Sequence, residues 1–196
     1  MFVVSKNTQA LCLTAVAKYR LPVFQSDAIK QVTCAALYEA RTSCGCLLFA
    51  YVIMPDHLHL MTDSPRTPSE VLRYLKGIVA HRVIEHLKEQ GHESSLAKLR
   101  HADQKRNYRY SLWEHDSNTF QIHSESMLMQ KVNYIHLNPV RAGLVEQAKD
   151  YRWSSAQSWF RCSLESETCQ TINLNFRGQD SRRVLIYLQR ENPHKL

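Results

Sequence analysis

The stretch CLLFAYVIMPDHLHLMT, Cys46 to Thr62, constrains this chain more than any other. Residues 46–54 are a short continuous apolar run, which suits a central strand. Pro55 and Asp56 break the run and permit a tight turn. HLHLMT then reads as a second strand, so the two form a hairpin. A hairpin alone leaves an apolar face uncovered, and the rest of the chain must supply strands beside it and helices over it. Within the second strand, residues two apart share a face, so His57 and His59 project together while Leu58 points into the core.

The flanking segments supply those partners. Residues 8–19, TQALCLTAVAKY, are rich in strand formers and partly alternate. LPVFQ turns the chain, and Ser26 and Asp27 offer an N-cap. Ile29, Val32, Ala36, Leu37 and Ala40 then form a helical stripe ending near Ser43 and Gly45. After the hairpin, Thr67, Pro68, Ser69 and Glu70 have the pattern of a capped helix start. Val71, Leu72, Leu75, Ile78, Val79, Val83 and Leu87 hold the helical period to about Gly91. Residues 92–110 are polar, basic and aperiodic, and read as a loop. A strand is expected over 118–122 and a helix over 126–137, stopped by Pro139 and Gly143. From Asp150 the chain reads as a mixed tail with one more helix over 181–190. This order predicts an α+β fold, a ferredoxin-like antiparallel sheet with helices packed on one face. One domain is expected over residues 1–160, with an extension over 161–196.

Composition bounds the function classes. The 196 residues are 44% hydrophobic and 22% charged, in keeping with a globular protein, and no apolar run is long enough to cross a bilayer. The start, MFVVSKNTQ, lacks the plan of a secretory signal, so a cytoplasmic location is expected. The net charge of +7 favours polyanionic partners. The cysteines at 12, 34, 44, 46, 162 and 169 include a CxC but no pair of CxxC motifs. Buried, reduced thiols are expected rather than a zinc site.

A second constellation lies in KVNYIHLNPVRAGLV, residues 131–145. On a helix, Tyr134 and Asn138 are one turn apart and share a face, with Gln130 one turn before. Leu128, Val132 and Ile135 occupy the other side and would pack on the sheet. The spacing of His57 and His59 suits two imidazole ligands on one metal ion, although an isolated HxH is most often an ordinary strand pair.

Taken together, these residues resemble a known family. HLH after a strand and a turn is similar to the HUH signature of the single-tyrosine nucleases, with U the apolar middle residue. YIHLNPVRAGLV followed by DYRWSSAQSW resembles the C-terminal signature of the REP-associated tyrosine transposases, and EVLRYLKG, residues 70–77, that family's second helix. The likeness covers residues 8–160. Residues 113–125 depart from the pattern in lacking an arginine shortly after Trp113. The resemblance implies His57 and His59 as metal ligands, Asn138 as the third ligand and Tyr134 as the nucleophile. It also implies Mg²⁺ or Mn²⁺ as cofactor, single-stranded or hairpin DNA as partner, and a monomer or homodimer. The implied activity is a single-stranded DNA endonuclease and strand transferase that cleaves near hairpin repeats through a 5′-phosphotyrosine. A catalytically silent DNA-binding protein of the same fold and a metal-dependent hydrolase with a structural tyrosine are the alternatives. For the DNA track, basic residues interleaved with aromatics nominate Arg73, Lys76, Arg100, Lys105, Arg106, Arg109 and Arg141, with Tyr108 and Tyr110 beside them.

Overall fold

The computed structural model describes residues 9–64, 66–100, 109–115 and 118–164. Strand β1 (Gln9–Val16) leads through a short 3₁₀ turn (Lys18–Arg20) to helix α1 (Asp27–Cys44). The expected hairpin follows as β2 (Leu47–Ile53) and β3 (His57–Ser64). Helices α2 (Pro68–Glu89) and α3 (Glu93–Leu99), strand β4 (Asn118–Ile122), helix α4 (Glu125–Arg141) and helix α5 (Ala156–Leu164) complete the order.

The four strands pair antiparallel in the order β2-β3-β1-β4. This is the ferredoxin-like arrangement the sequence predicts. Local chemistry sets the helix ends. Ser26 Oγ accepts from the Ile29 N–H, and Gly45 closes α1 at φ 71°, a left-handed conformation that an L side chain resists. Thr67 and Glu70 form a complete capping box at the start of α2.

Helices α1 and α2 lie together on one face of the sheet. Leu13, Ala15, Leu58 and Leu60 meet Leu72, Leu75 and Trp113 of that layer. The α+β class stands, with one correction: α4 covers the opposite face, the one bearing His59. That second layer explains why Ala10, Leu11, Cys12 and Leu13 are all buried, since β1 is covered on both sides. Leu128, Val132 and Ile135 are the residues of α4 that turn inward, as expected from their spacing.

Three further expectations need correction. Residues 93–99 form α3 rather than a loop. Its single apolar turn, Leu96 and Leu99, is fully buried but too short to stand out among serines and lysines. Pro139 does not stop α4, which runs on to Arg141. A proline this close to the C-terminus forfeits little of the backbone ladder, and the helix ends instead at Gly143, with φ 68°. The segment after Asp150 is no loose tail. Ile53 N–H donates to the Trp153 carbonyl (2.9 Å) and Ser155 N–H to that of Tyr51 (3.0 Å), so residues 153–155 extend the β2 edge. Trp153 is buried and donates its indole N–H to Asp27 (2.9 Å), a packing role rather than a base-reading one. Helix α5 passes through the expected boundary at residue 160. The helix expected over 181–190 lies outside the described residues. Among the described residues Cys12, Cys34, Cys44 and Cys46 are free thiols, and no helix is long and apolar enough to cross a membrane.

Candidate active site

The β2–β3 turn delivers His57 as the first residue of β3 and His59 two positions on, next to the central strand. Their rings meet edge to face with centroids 4.8 Å apart. Each imidazole is held from behind. His57 Nδ1 lies 2.6 Å from Asp56 Oδ1, and Asp56 Oδ2 in turn receives Arg20 at 3.0 Å. His59 Nδ1 lies 2.9 Å from the hydroxyl of Thr14, its cross-strand partner in the ladder. Both contacts are made through Nδ1, so neither uses an Nε2 atom. This is the support that metal-binding histidines require, because the outer hydrogen bond fixes ring orientation and tautomer.

Burial, then the neighbouring His57, pushes the pKa of His59 down to about 4, so its imidazole is neutral near pH 7, the form that binds metal. Burial alone would raise the Asp56 carboxyl, but His57 and Arg20 together outweigh it and hold the group below its ordinary range.

Helix α4 lays Tyr134 over this pair. The Tyr134 ring stands edge to face with His59 at 5.4 Å, and the residue is 41% exposed. A phenol thus reaches solvent at the margin of the two imidazoles. Arg141 lies 5.1 Å and Lys131 5.8 Å from the Tyr134 ring, so cations flank the phenol. Lys131 was not among the sequence candidates. Its position three before Tyr134 on the same helix was the signal that could have found it. Asn138 sits one turn after Tyr134, and its Nδ2 donates to the Tyr134 carbonyl at 2.8 Å, which leaves the amide oxygen out of that bond. Among the described residues no third His, Cys, Asp or Glu joins the two imidazoles.

His136 turns away from this face. It is buried, with Nε2 2.9 Å from Ser155 Oγ and its ring against Trp159, and burial lowers its pKa to about 4. Of the basic candidates among the described residues, Arg141 alone is placed beside Tyr134. Arg73 is exposed on α2, in the layer on the other side of the sheet, with Tyr74 under its guanidinium. Lys76 is partly buried, its ammonium donating to the Glu114 carbonyl at 3.2 Å. Arg100 and Arg109 are exposed, and Arg109 lies over the Tyr110 ring. Lys105, Arg106 and Tyr108 lie outside the described residues.

Residues 6–99 match the family model of the IS200-like transposases. The matched segment holds Thr14, Arg20, Asp56, His57 and His59, and ends before Tyr134 and Asn138. No curated protein matches this chain. Among solved structures, it is similar to a REP-associated tyrosine transposase bound to a REP hairpin. The identity is 17% and the TM-score 0.57, with 82% of this chain and 84% of that one covered. It is also similar to a Deinococcus radiodurans R1 protein solved as a candidate transposase. There the identity is 23% and the TM-score 0.45, over 69% of this chain and 94% of that one. The first likeness shows a common fold: the segment matched by the family model here sits in the same kind of antiparallel sheet.

Proposed function

We propose that this chain is a metal-dependent single-stranded DNA endonuclease and strand transferase of the REP-associated tyrosine type, cutting near hairpin repeats. The observation that carries the reading is the Tyr134 phenol edge-on to His59, whose Nδ1 is held by the Thr14 hydroxyl. A lone HxH is weak evidence. An HxH oriented from behind and paired with an exposed phenol is a nucleophile beside a ligand set.

In this reading His57, His59 and Asn138 would hold Mg²⁺ or Mn²⁺. When bound, the ion supplies Lewis-acid polarisation of a phosphodiester. The chain's own residues do the rest. The Tyr134 oxygen attacks phosphorus, the bond from phosphorus to the 3′ oxygen breaks, and that oxygen leaves as a 3′-OH. The product is a 5′-phosphotyrosine. Because one phosphoester replaces another, a new 3′-OH can attack the phosphotyrosine, restore the phenol and join strands with no outside energy source. Lys131 and Arg141 offset the phosphate charge around the phenol. Asp56 and Thr14 keep the imidazoles aimed.

The test is incubation with hairpin-containing single-stranded DNA and Mn²⁺, with a chelator in the control. Cleavage in metal that disappears with the chelator is the expected result. Cleavage that persists in Tyr134→Phe would mark a hydrolase in which the tyrosine is structural. Binding without cleavage in any metal would mark a silent DNA-binding protein.

A further inference from the structure

The turn after β1 carries a feature that the site above does not use. Among the described residues, only Tyr19 (φ 55°) and Arg20 (φ 50°) are non-glycine residues at positive φ, and they are consecutive. Left-handed backbone is unfavourable for L side chains, and two in succession persist only where the surroundings impose them. Here they do. The Ala17 N–H donates to the Asp56 carbonyl (2.8 Å) and that of Lys18 to the Leu112 carbonyl (2.8 Å). Glu114 accepts from the Tyr19 N–H, and Arg20 pairs with Asp56.

The effect is to drive an aromatic ring outward. Tyr19 is 70% exposed, the highest value for any large hydrophobic side chain among the described residues. Its ring has Lys18 Nζ at 4.9 Å, and Arg20 follows it in sequence. The carboxylates at this turn face inward, Glu114 onto the Tyr19 amide and Asp56 onto Arg20 and His57. What reaches solvent is therefore a ring with one cation, Lys18, beside it. The position matters too. Val16 is the register partner of His57, so the turn rises at the end of the sheet where the imidazoles stand.

We propose that Tyr19 is a stacking platform for one base of the single-stranded DNA, with Lys18 beside the ring to meet the adjacent phosphate. The inference rests on the nuclease reading above and deepens it by naming where the strand next to the reacting phosphate is held. An exposed aromatic beside a cation has the chemistry of single-strand recognition, since every base offers a π-face and every step a phosphate. A glycine would accommodate this backbone without strain, yet the position carries a large ring.

The test uses a hairpin oligonucleotide with a single-stranded tail, with 2-aminopurine placed at each tail position in turn, and binding read by anisotropy. With the unaltered chain, 2-aminopurine fluorescence is expected to be quenched at one tail position. In Tyr19→Ala that quenching disappears and affinity falls by about tenfold or more, the usual effect of losing one stacked base. Tyr19→Phe keeps both. Tyr19→Gly loses both while its thermal stability equals or exceeds that of the unaltered chain, which separates lost contact from lost folding. Tyr19→Ala and Tyr19→Gly proteins that bind as tightly as the parent with the quenching intact overturn the proposal alone. A parent chain that fails to bind the oligonucleotide overturns the nuclease reading and this proposal with it.

Discussion

At the scale of residues, the central feature is that each imidazole is oriented by a different neighbour. Asp56 holds His57 through a carboxylate that Arg20 also grips, whereas Thr14 holds His59 through a cross-strand hydroxyl. Removing such outer partners typically weakens metal affinity by about 10- to 100-fold. Asp56→Ala and Thr14→Val are therefore expected to weaken Mn²⁺ binding in calorimetric titration while the fold survives. Equal affinity in both variants would show that the outer hydrogen bonds do not orient the ligands. His57→Ala and His59→Ala should abolish DNA cleavage and leave most DNA binding in a gel-shift assay. Normal cleavage by either variant in chelated buffer would refute the metal assignment.

At the scale of elements, the hairpin and α4 do the positioning. β3 gives the histidines a common face, and α4 crosses that face so that Tyr134 lies at its margin. The hairpin was legible because Pro55 and Asp56 punctuate two apolar runs, and α2 because Thr67 and Glu70 announce its start. Substituting Thr67 by Ala removes that cap and should destabilise the protein by about 1 kcal/mol in denaturant unfolding. A variant as stable as the parent would show the capping box to be idle.

Other parts of the fold were illegible for identifiable reasons. The period of α4 showed which residues face inward, but no local pattern says which side of a sheet a helix covers. That choice belongs to the whole chain. Leu96 and Leu99 make one turn, too little for a period, and α3 went unseen. The pairing of residues 153–155 with β2 depends on main-chain hydrogen bonds between segments about a hundred positions apart, which side-chain pattern does not record. In the site, His57, His59 and Tyr134 were readable as motifs. The outer partners Thr14 and Arg20 were not, because strand register and a left-handed turn bring them into place.

At the scale of the whole molecule, two buried histidines set how stability responds to acid. His59 and His136 both have pKa values lowered to about 4 in the folded protein, below the ordinary value of 6.5. The unfolded chain therefore takes up protons between about pH 6.5 and pH 4 that the folded chain refuses. Their contribution is intact above pH 6.5, is lost as pH falls through that window, and changes little below it. The loss between pH 7 and pH 5 should be roughly 2 kcal/mol per histidine, measurable by urea unfolding at the two pH values. His136→Gln should remove about half of that slope, and an unchanged slope would show that His136 does not titrate as its burial demands.

The same scale holds the central claim, that a strand of this sheet and a helix across it make one reaction centre. The most direct measurement is mass spectrometry of tryptic peptides after incubation with hairpin-containing single-stranded DNA and Mn²⁺. The account predicts a peptide carrying a nucleotide 5′-phosphate on Tyr134, formed only with metal and absent from Tyr134→Phe and His59→Ala. Cleaved DNA with no adduct on Tyr134, or an adduct on another residue, would contradict it.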